Sequence, residues 1–237
     1  MNIYQYINDD IQKGKKLLAI LLDPDKVQLQ NISTLSKKFN KRADLIFVGG
    51  STVQNGLTEK LVEALKKETQ LPIILFPGDY TQITYKADAL LFLSLLSGDN
   101  PEYLIHQQVK SIPKLKNSSL EIIPTGYILI DGGVETSVQK VSNTKPISQK
   151  NVELVVNTAL AGQYAGKKLI YLEAGSGAKE SVSEEIIKSV KTALNIPLIV
   201  GGGIRTKLQL NNAYNAGADL VVVGNAFEED NLWFNTI

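Results

Sequence analysis

Ile199–Val200–Gly201–Gly202–Gly203–Ile204–Arg205 and, further on, Val221–Val222–Val223–Gly224–Asn225–Ala226 decide the fold. Each is an apolar, β-branched run that stops at glycine. A strand ending in glycine bares backbone N–H groups that no side chain shields. Two such ends side by side, each leading towards a helix N-terminus, make a cradle for a phosphate. The bland alternative is that the glycines only let strand and helix pack closely.

The same strand-and-stop pattern recurs upstream. Leu17–Leu22 ends at Asp23–Pro24–Asp25, Leu45–Val48 at Gly49–Gly50–Ser51–Thr52, and Pro72–Phe76 at Pro77–Gly78–Asp79. Ala89–Leu93 follows, then Leu120–Ile130 broken by Pro124 and Gly126, then Leu169–Glu173 running into Ala174–Gly175–Ser176–Gly177. Continuous apolar runs of this kind mark strands buried on both faces. With Pro197–Val200 and Leu220–Val223 they make eight. Helical stripes lie between most of them, after an N-terminal helix over Ile3–Gln12. Ser181 with Glu184 and Thr206 with Gln209 read as capping boxes, and Asn100–Pro101–Glu102 as another helix start. Eight βα units predict one closed (β/α)₈ TIM barrel over residues 1–237, with an open doubly wound sheet as the alternative. Only about a dozen residues separate Phe76 from Ala89, little for a helical crossover, so the third connection is expected to be irregular. Glu135–Gln149 shows no period and reads as a mobile loop.

Composition narrows the chemistry. The 237 residues carry 25 basic and 24 acidic side chains, which gives no electrostatic footprint for nucleic acid. With no cysteine and a single histidine, His106, thiolate chemistry and His-rich metal sites are excluded and a Ser–His–Asp triad is disfavoured. His106 itself reads as a solvated helix residue. The longest apolar stretch, Ala87–Leu96, falls far short of the ~20 residues a membrane span needs, and the start of the chain does not resemble a secretion signal. The expectation is a cytoplasmic protein, with contact to a membrane surface left open.

In a barrel of this type the site lies at the C-terminal ends of the strands. Tyr171 and Glu173, two apart on one strand, share a face. At the mouth, a carboxylate can orient or deprotonate a substrate hydroxyl and a phenol can hydrogen-bond it; the alternative is a buried Glu–Arg pair with Tyr171 as packing. Asp23 and Ser51 offer hard oxygen ligands suited to Mg²⁺, although Asp25, and Asp23 with it, can equally be read as caps of the next helix. Phe92, Leu93, Leu95, Leu96, Tyr103 and Tyr127 line an apolar groove or belong to the core.

Taken in order, Leu22–Asp23–Pro24–Asp25–Lys26, Val48–Gly49–Gly50–Ser51, Tyr171–Leu172–Glu173–Ala174–Gly175–Ser176–Gly177, Val200–Arg205 and Val223–Gly224–Asn225 resemble the geranylgeranylglyceryl phosphate synthases, a family that includes the bacterial heptaprenylglyceryl phosphate synthases. Pro124–Gly126–Tyr127 resembles the branch that makes geranylgeranyl products. The resemblance spans almost the whole chain. It implies a barrel lacking a regular third helix and a prenyltransferase. The C3 hydroxyl of sn-glycerol 1-phosphate would attack C1 of a polyprenyl diphosphate. It further implies Mg²⁺ on Asp23 and Ser51, and glycerol phosphate on Tyr171, Leu172, Glu173, Ala174, Gly175, Ser176, Gly177, Gly202, Gly203, Gly224 and Asn225. Glu173 would activate the hydroxyl, and the chain would form at least a dimer. In one departure, Leu21 stands where some family members carry a lysine. The chain also ends soon after Trp233–Phe234, which leaves little length for an eighth helix. Two competing readings are a phosphate-binding isomerase or lyase, for which Lys26 is the one lysine near a strand end, and a non-catalytic barrel that carries a prenyl phosphate.

Overall fold

A computed structural model describes residues 2–224. Its architecture is a closed ring of eight parallel strands in sequence order. Helix α1 (Ile3–Gln12) precedes β1 (Leu17–Leu22); α2 (Ile32–Phe39), β2 (Leu45–Val48), α3 (Leu57–Glu68) and β3 (Ile73–Leu75) follow. Between β3 and β4 (Ala89–Leu95) the only helical element is a single 3₁₀ turn, Tyr80–Gln82. The irregular third crossover is therefore present, for the length reason given above. A π-helical turn, Glu102–His106, runs into α4 (Gln107–Leu115), and β5 (Glu121–Leu129) follows. The remaining elements are α5 (Ser137–Ser142), α6 (Val152–Tyr164), β6 (Leu169–Glu173), α7 (Glu184–Ala193), β7 (Leu198–Gly201), α8 (Lys207–Ala216) and β8 (Leu220–Val223). β8 closes on β1 through Leu17↔Leu220 to Ile20↔Val223.

Alternation along the strands splits the core in two. One set, including Ala19, Phe47, Leu91, Tyr127, Tyr171 and Ile199, fills the barrel. The other, including Ile20, Ile46, Leu172, Val200 and Val221, packs against the helices. Helix α1 plugs the lower end with Ile3 and Ile7, and Glu121 at the foot of β5 accepts the N–H groups of Ile3 and Tyr4. Residues ahead of three even strands staple the strand before: Asp44 accepts from Leu18 N–H at 2.9 Å, Asp88 from Ile73 N–H at 2.7 Å and Asp219 from Leu198 N–H at 2.9 Å. Each also meets a lysine: Lys15, Lys66 and Lys191. This lower face is built for stability, leaving the upper one for chemistry.

The structure corrects four local expectations. β5 runs unbroken through Pro124. The Pro124 carbonyl points towards β6 and accepts Lys168 N–H. The ring nitrogen faces the same side, below the first residue of β6, so the missing donor costs no ladder bond. Helix α7 is capped by Ser183, whose hydroxyl accepts Ile186 N–H, rather than by Ser181. The segment read as a loop over Glu135–Gln149 contains α5, opened by a Thr136–Gln139 capping box and followed by an Ile130↔Ile147 bridge. Asp23 and Asp25 cap no helix; the next turn starts at Leu29 behind Gln28. The Thr206–Gln209 capping box is present as expected, and Gly217 ends that helix. Among the described residues no helix is long and apolar enough to cross a membrane. Asn225 and the Trp233–Phe234 end lie outside the described residues.

Candidate active site

The register assembles the polar centre. Tyr127 of β5 pairs with Tyr171, and Glu173 pairs with Gly201 of β7. Tyr171 and Glu173 share the inward face, as their spacing predicts, and both are buried. Glu173 Oε1 accepts the Gly175 N–H at 2.8 Å. No arginine pairs with it among the described residues. The Tyr171 hydroxyl lies beside this carboxylate, fully buried and without a partner of hydrogen-bonding geometry. Burial pushes the Glu173 carboxyl above its ordinary range, against the downward pull of the Tyr171 hydroxyl and the Gly175 N–H. Burial likewise raises both tyrosine phenols, with the nearby Glu173 charge adding to it. A carboxyl raised in this way suits a base acting near neutral pH.

The glycines around it are required by space as well as conformation. A Cβ on Gly201 would sit 2.4 Å from the Tyr171 hydroxyl and 2.8 Å from Glu173 Oε2. A Cβ on Gly202 would sit 2.4 Å from Glu173 Oε1 and 2.5 Å from Gly175 N. Gly202 also has φ +80°, a conformation that L side chains rarely adopt. Close packing is part of the account too, since Gly203 is pressed against the backbone of Glu180 and Ser181. The result is a cavity of about 320 Å³. Tyr171, Glu173, Gly175, Ser176, Gly177, Gly202, Gly203 and Gly224 line it on one side, Asp23, Asp25, Lys26 and Gly49–Thr52 on the other. Leu172 and Ala174 belong to the same segment, but their side chains pack in the outer core layer. Only the backbone of Ala174 reaches the cradle, where its N–H donates to Gly201 O.

Asp23 sits at the rim over Gly50, whose Cβ would come 3.0 Å from its Oδ1. It accepts Asp25 N–H at 3.1 Å and lies 3.5 Å from Lys26 Nζ. Asp25 accepts Gln54 N–H. Gln82, in the short third crossover, escaped the sequence reading. Buried, it donates to Gly50 O at 2.9 Å and accepts Gly78 N–H at 3.2 Å, fixing the loop that carries Ser51.

A second, apolar cavity adjoins the first. Phe92, Leu93, Leu95, Tyr103 and Tyr127 line it as the groove reading expects, with Ile83, Leu91, Val138 and Val141. Leu96 does not; it packs at Gly126 and Gly162, between β5 and α6. Gly50, Ser51, Phe76, Tyr127 and Val138 border both cavities. Phe76 stacks on Tyr171 at 5.3 Å, and Tyr127 meets Tyr171 edge-on at 5.4 Å. This aromatic wall separates a polar chamber from an oily one. Phe76, at the end of an apolar strand run, and Val138, within the short helix α5, were missed because each looks like any core residue. His106 is exposed, 3.5 Å from Glu102, and lines neither cavity.

Fold and site together define a (β/α)₈ barrel whose glycine-lined polar chamber opens onto an apolar groove. The match to known proteins agrees. The chain belongs to the PcrB family, whose family model matches residues 9–237. It is 59% identical over 215 residues to the geranylgeranylglyceryl phosphate synthase of Zunongwangia profunda, covering 91% of this chain and 92% of the relative. It is 41% identical over 228 residues to that of Pyrococcus abyssi, covering 95% and 90%. The structure matches, at a TM-score of 0.93 and 33% identity, the crystal structure of (S)-3-O-geranylgeranylglyceryl phosphate synthase from Thermoplasma acidophilum in complex with substrate sn-glycerol-1-phosphate. That match covers 100% of this chain and 95% of the other.

Proposed function

We propose that the chain is a prenyltransferase that joins sn-glycerol 1-phosphate to geranylgeranyl diphosphate. The observation that carries this reading is the adjacency of the two cavities across Phe76, Tyr127 and Val138, with Glu173 on the polar side. The glycine cradle would hold the phosphate of the acceptor and bring its C3 hydroxyl to Glu173. That oxygen attacks C1 of the prenyl diphosphate. The new C–O ether bond forms as the bond from C1 to the diphosphate oxygen breaks, and the hydroxyl proton passes to Glu173. Diphosphate leaves with the electron pair. Holding both partners at this boundary removes most of the entropic cost of their encounter.

Asp23 and Ser51 would hold Mg²⁺. Among the described residues no cluster of three or more histidine or acidic side chains forms a complete metal cage. One carboxylate and one hydroxyl on the same cavity are a sparse, hard-oxygen set that suits an ion held mostly by substrate phosphates and water. When bound, Mg²⁺ neutralises charge on the departing diphosphate. Asp23→Asn is expected to raise the Mg²⁺ concentration for half-maximal activity about tenfold, read from activity against metal concentration. The reading further takes the chain as a cytoplasmic enzyme, an expectation from its sequence pattern, that is at least dimeric, an expectation from family resemblance.

The deciding experiment incubates the full chain with sn-glycerol 1-phosphate, geranylgeranyl diphosphate and Mg²⁺, and identifies products by mass. The expected result is geranylgeranylglyceryl phosphate with one diphosphate per ether formed. An isomerase would yield no lipid-soluble product, and a carrier would bind the prenyl group without releasing diphosphate; either result would refute the proposal.

A further inference from the structure

The polar chamber is short of positive charge. Among the described residues, Asp23, Asp25 and Glu173 line it, against Lys26 and Arg205. A phosphate monoester brings nearly two more negative charges at neutral pH. Backbone N–H groups and glycine nests supply partial charge only. Lys26 lies 3.5 Å from Asp23. Leu21, on the strand beside Gly224, presents a hydrocarbon side chain to the same space.

Arg205 is placed differently. Its backbone N–H donates to Gln209 Oε1 at 2.8 Å, so the capping box of α8 fixes its main chain. Its Nη2 donates to Ala178 O at 2.8 Å, at the end of the Gly175–Ala178 loop. No carboxylate pairs with it among the described residues. A guanidinium carries five N–H donors in a rigid fork, stays charged at every working pH and matches phosphate geometry. One donor is spent on Ala178, and Arg205 lines the chamber together with Gly177 and Gly203.

We propose that Arg205 is the cation that binds the phosphate of the small acceptor, and that it thereby closes the Gly175–Ala178 loop over that phosphate. The proposal rests on the reading of the chamber as a glycerol phosphate site. It makes Arg205 a determinant of acceptor affinity that takes no part in the chemical step.

The test uses the full chain with Mg²⁺, geranylgeranyl diphosphate and sn-glycerol 1-phosphate. Arg205→Leu is expected to raise KM for glycerol phosphate ~10- to 100-fold, the range for losing a charge-assisted hydrogen bond. It should leave kcat and KM for the prenyl diphosphate within about twofold, the signature of a contact made equally in ground and transition states. Leu21→Lys introduced into Arg205→Leu returns a cation from across the chamber and should recover most of the lost affinity; a residue acting only as a loop strut would not be rescued this way. Calorimetric titration of wild type and Arg205→Leu with sn-glycerol 1-phosphate alone should show the same loss of affinity. KM and Kd within twofold of wild type in Arg205→Leu would overturn the proposal. So would a loss that Leu21→Lys fails to recover and that comes with a lower melting temperature. If the wild type binds glycerol phosphate but forms no ether, the proposed function fails while the titration still decides the role of Arg205.

Discussion

On one side of the barrel mouth, β6, β7 and β8 end in glycines and the working surface is backbone; on the other, β3, β4 and β5 end among aromatic and aliphatic side chains. The first side recognises by N–H groups and charge. The second recognises by shape and by excluding water. They meet at Phe76, Tyr127 and Tyr171, and Glu173 sits just inside the polar side of that seam. On the proposed function, the difference lets one barrel serve two unlike substrates. The polar half can be rigid because a phosphate is one shape, whereas the apolar half draws residues from β4, β5, α5 and the π-helical turn.

The largest effect should come from the seam. Glu173→Gln is expected to lower kcat ~10²- to 10⁴-fold, the usual range for losing a general base, with both substrates still bound. The same change should stabilise the ligand-free protein at neutral pH. The folded-state pKa of Glu173 lies above the ordinary 4.5, so the folded protein holds its proton more tightly than the unfolded chain does. Its contribution to stability is then complete below the unfolded-state pKa and is lost as pH rises through the folded one. Melting curves should separate the variant from wild type at pH 7 and converge near pH 4.

Gly202→Ala attacks only the glycine half. The new methyl has no room beside Glu173 Oε1, and the residue must hold φ +80°. Glycerol phosphate binding should weaken by about 100-fold and stability by ~1–3 kcal/mol, measured by titration and denaturant unfolding. Val141→Asp attacks only the groove half, where Val141 lines the wall. KM for the prenyl diphosphate should rise about tenfold, because a charge is placed where hydrocarbon must lie, with KM for the acceptor unchanged. Tyr171→Phe should have the smallest effect on rate, a few-fold. It removes a hydroxyl that holds the Glu173 pKa down, so the acid limb of the pH–rate profile should move to higher pH.

The same comparison explains what could be read from sequence. Gly201–Gly203 and Gly224 were legible because a glycine at the end of a buried strand says something specific about backbone access. Tyr171 and Glu173 were legible because strand alternation fixes which residues share a face. The short third crossover followed from chain length alone. The groove was legible only as a set of candidates: Tyr103 and Phe92 line it while Leu96 packs behind it, and nothing local distinguishes them. Helix α5 was missed because six residues show less than two turns of periodicity, although its Thr136–Gln139 capping box was present to be found. Gln82 was invisible because one of its partners, Gly50, comes from a loop 32 residues away in sequence.

The central claim is that the two halves bind their substrates separately and share only the reacting seam. The most direct measurement is the equilibrium affinity for sn-glycerol 1-phosphate, without prenyl diphosphate, in wild type, Gly202→Ala and Val141→Asp. The account predicts a wild-type Kd for Val141→Asp and a loss of about two orders of magnitude for Gly202→Ala. Equal losses in both variants, or none in Gly202→Ala, would contradict it.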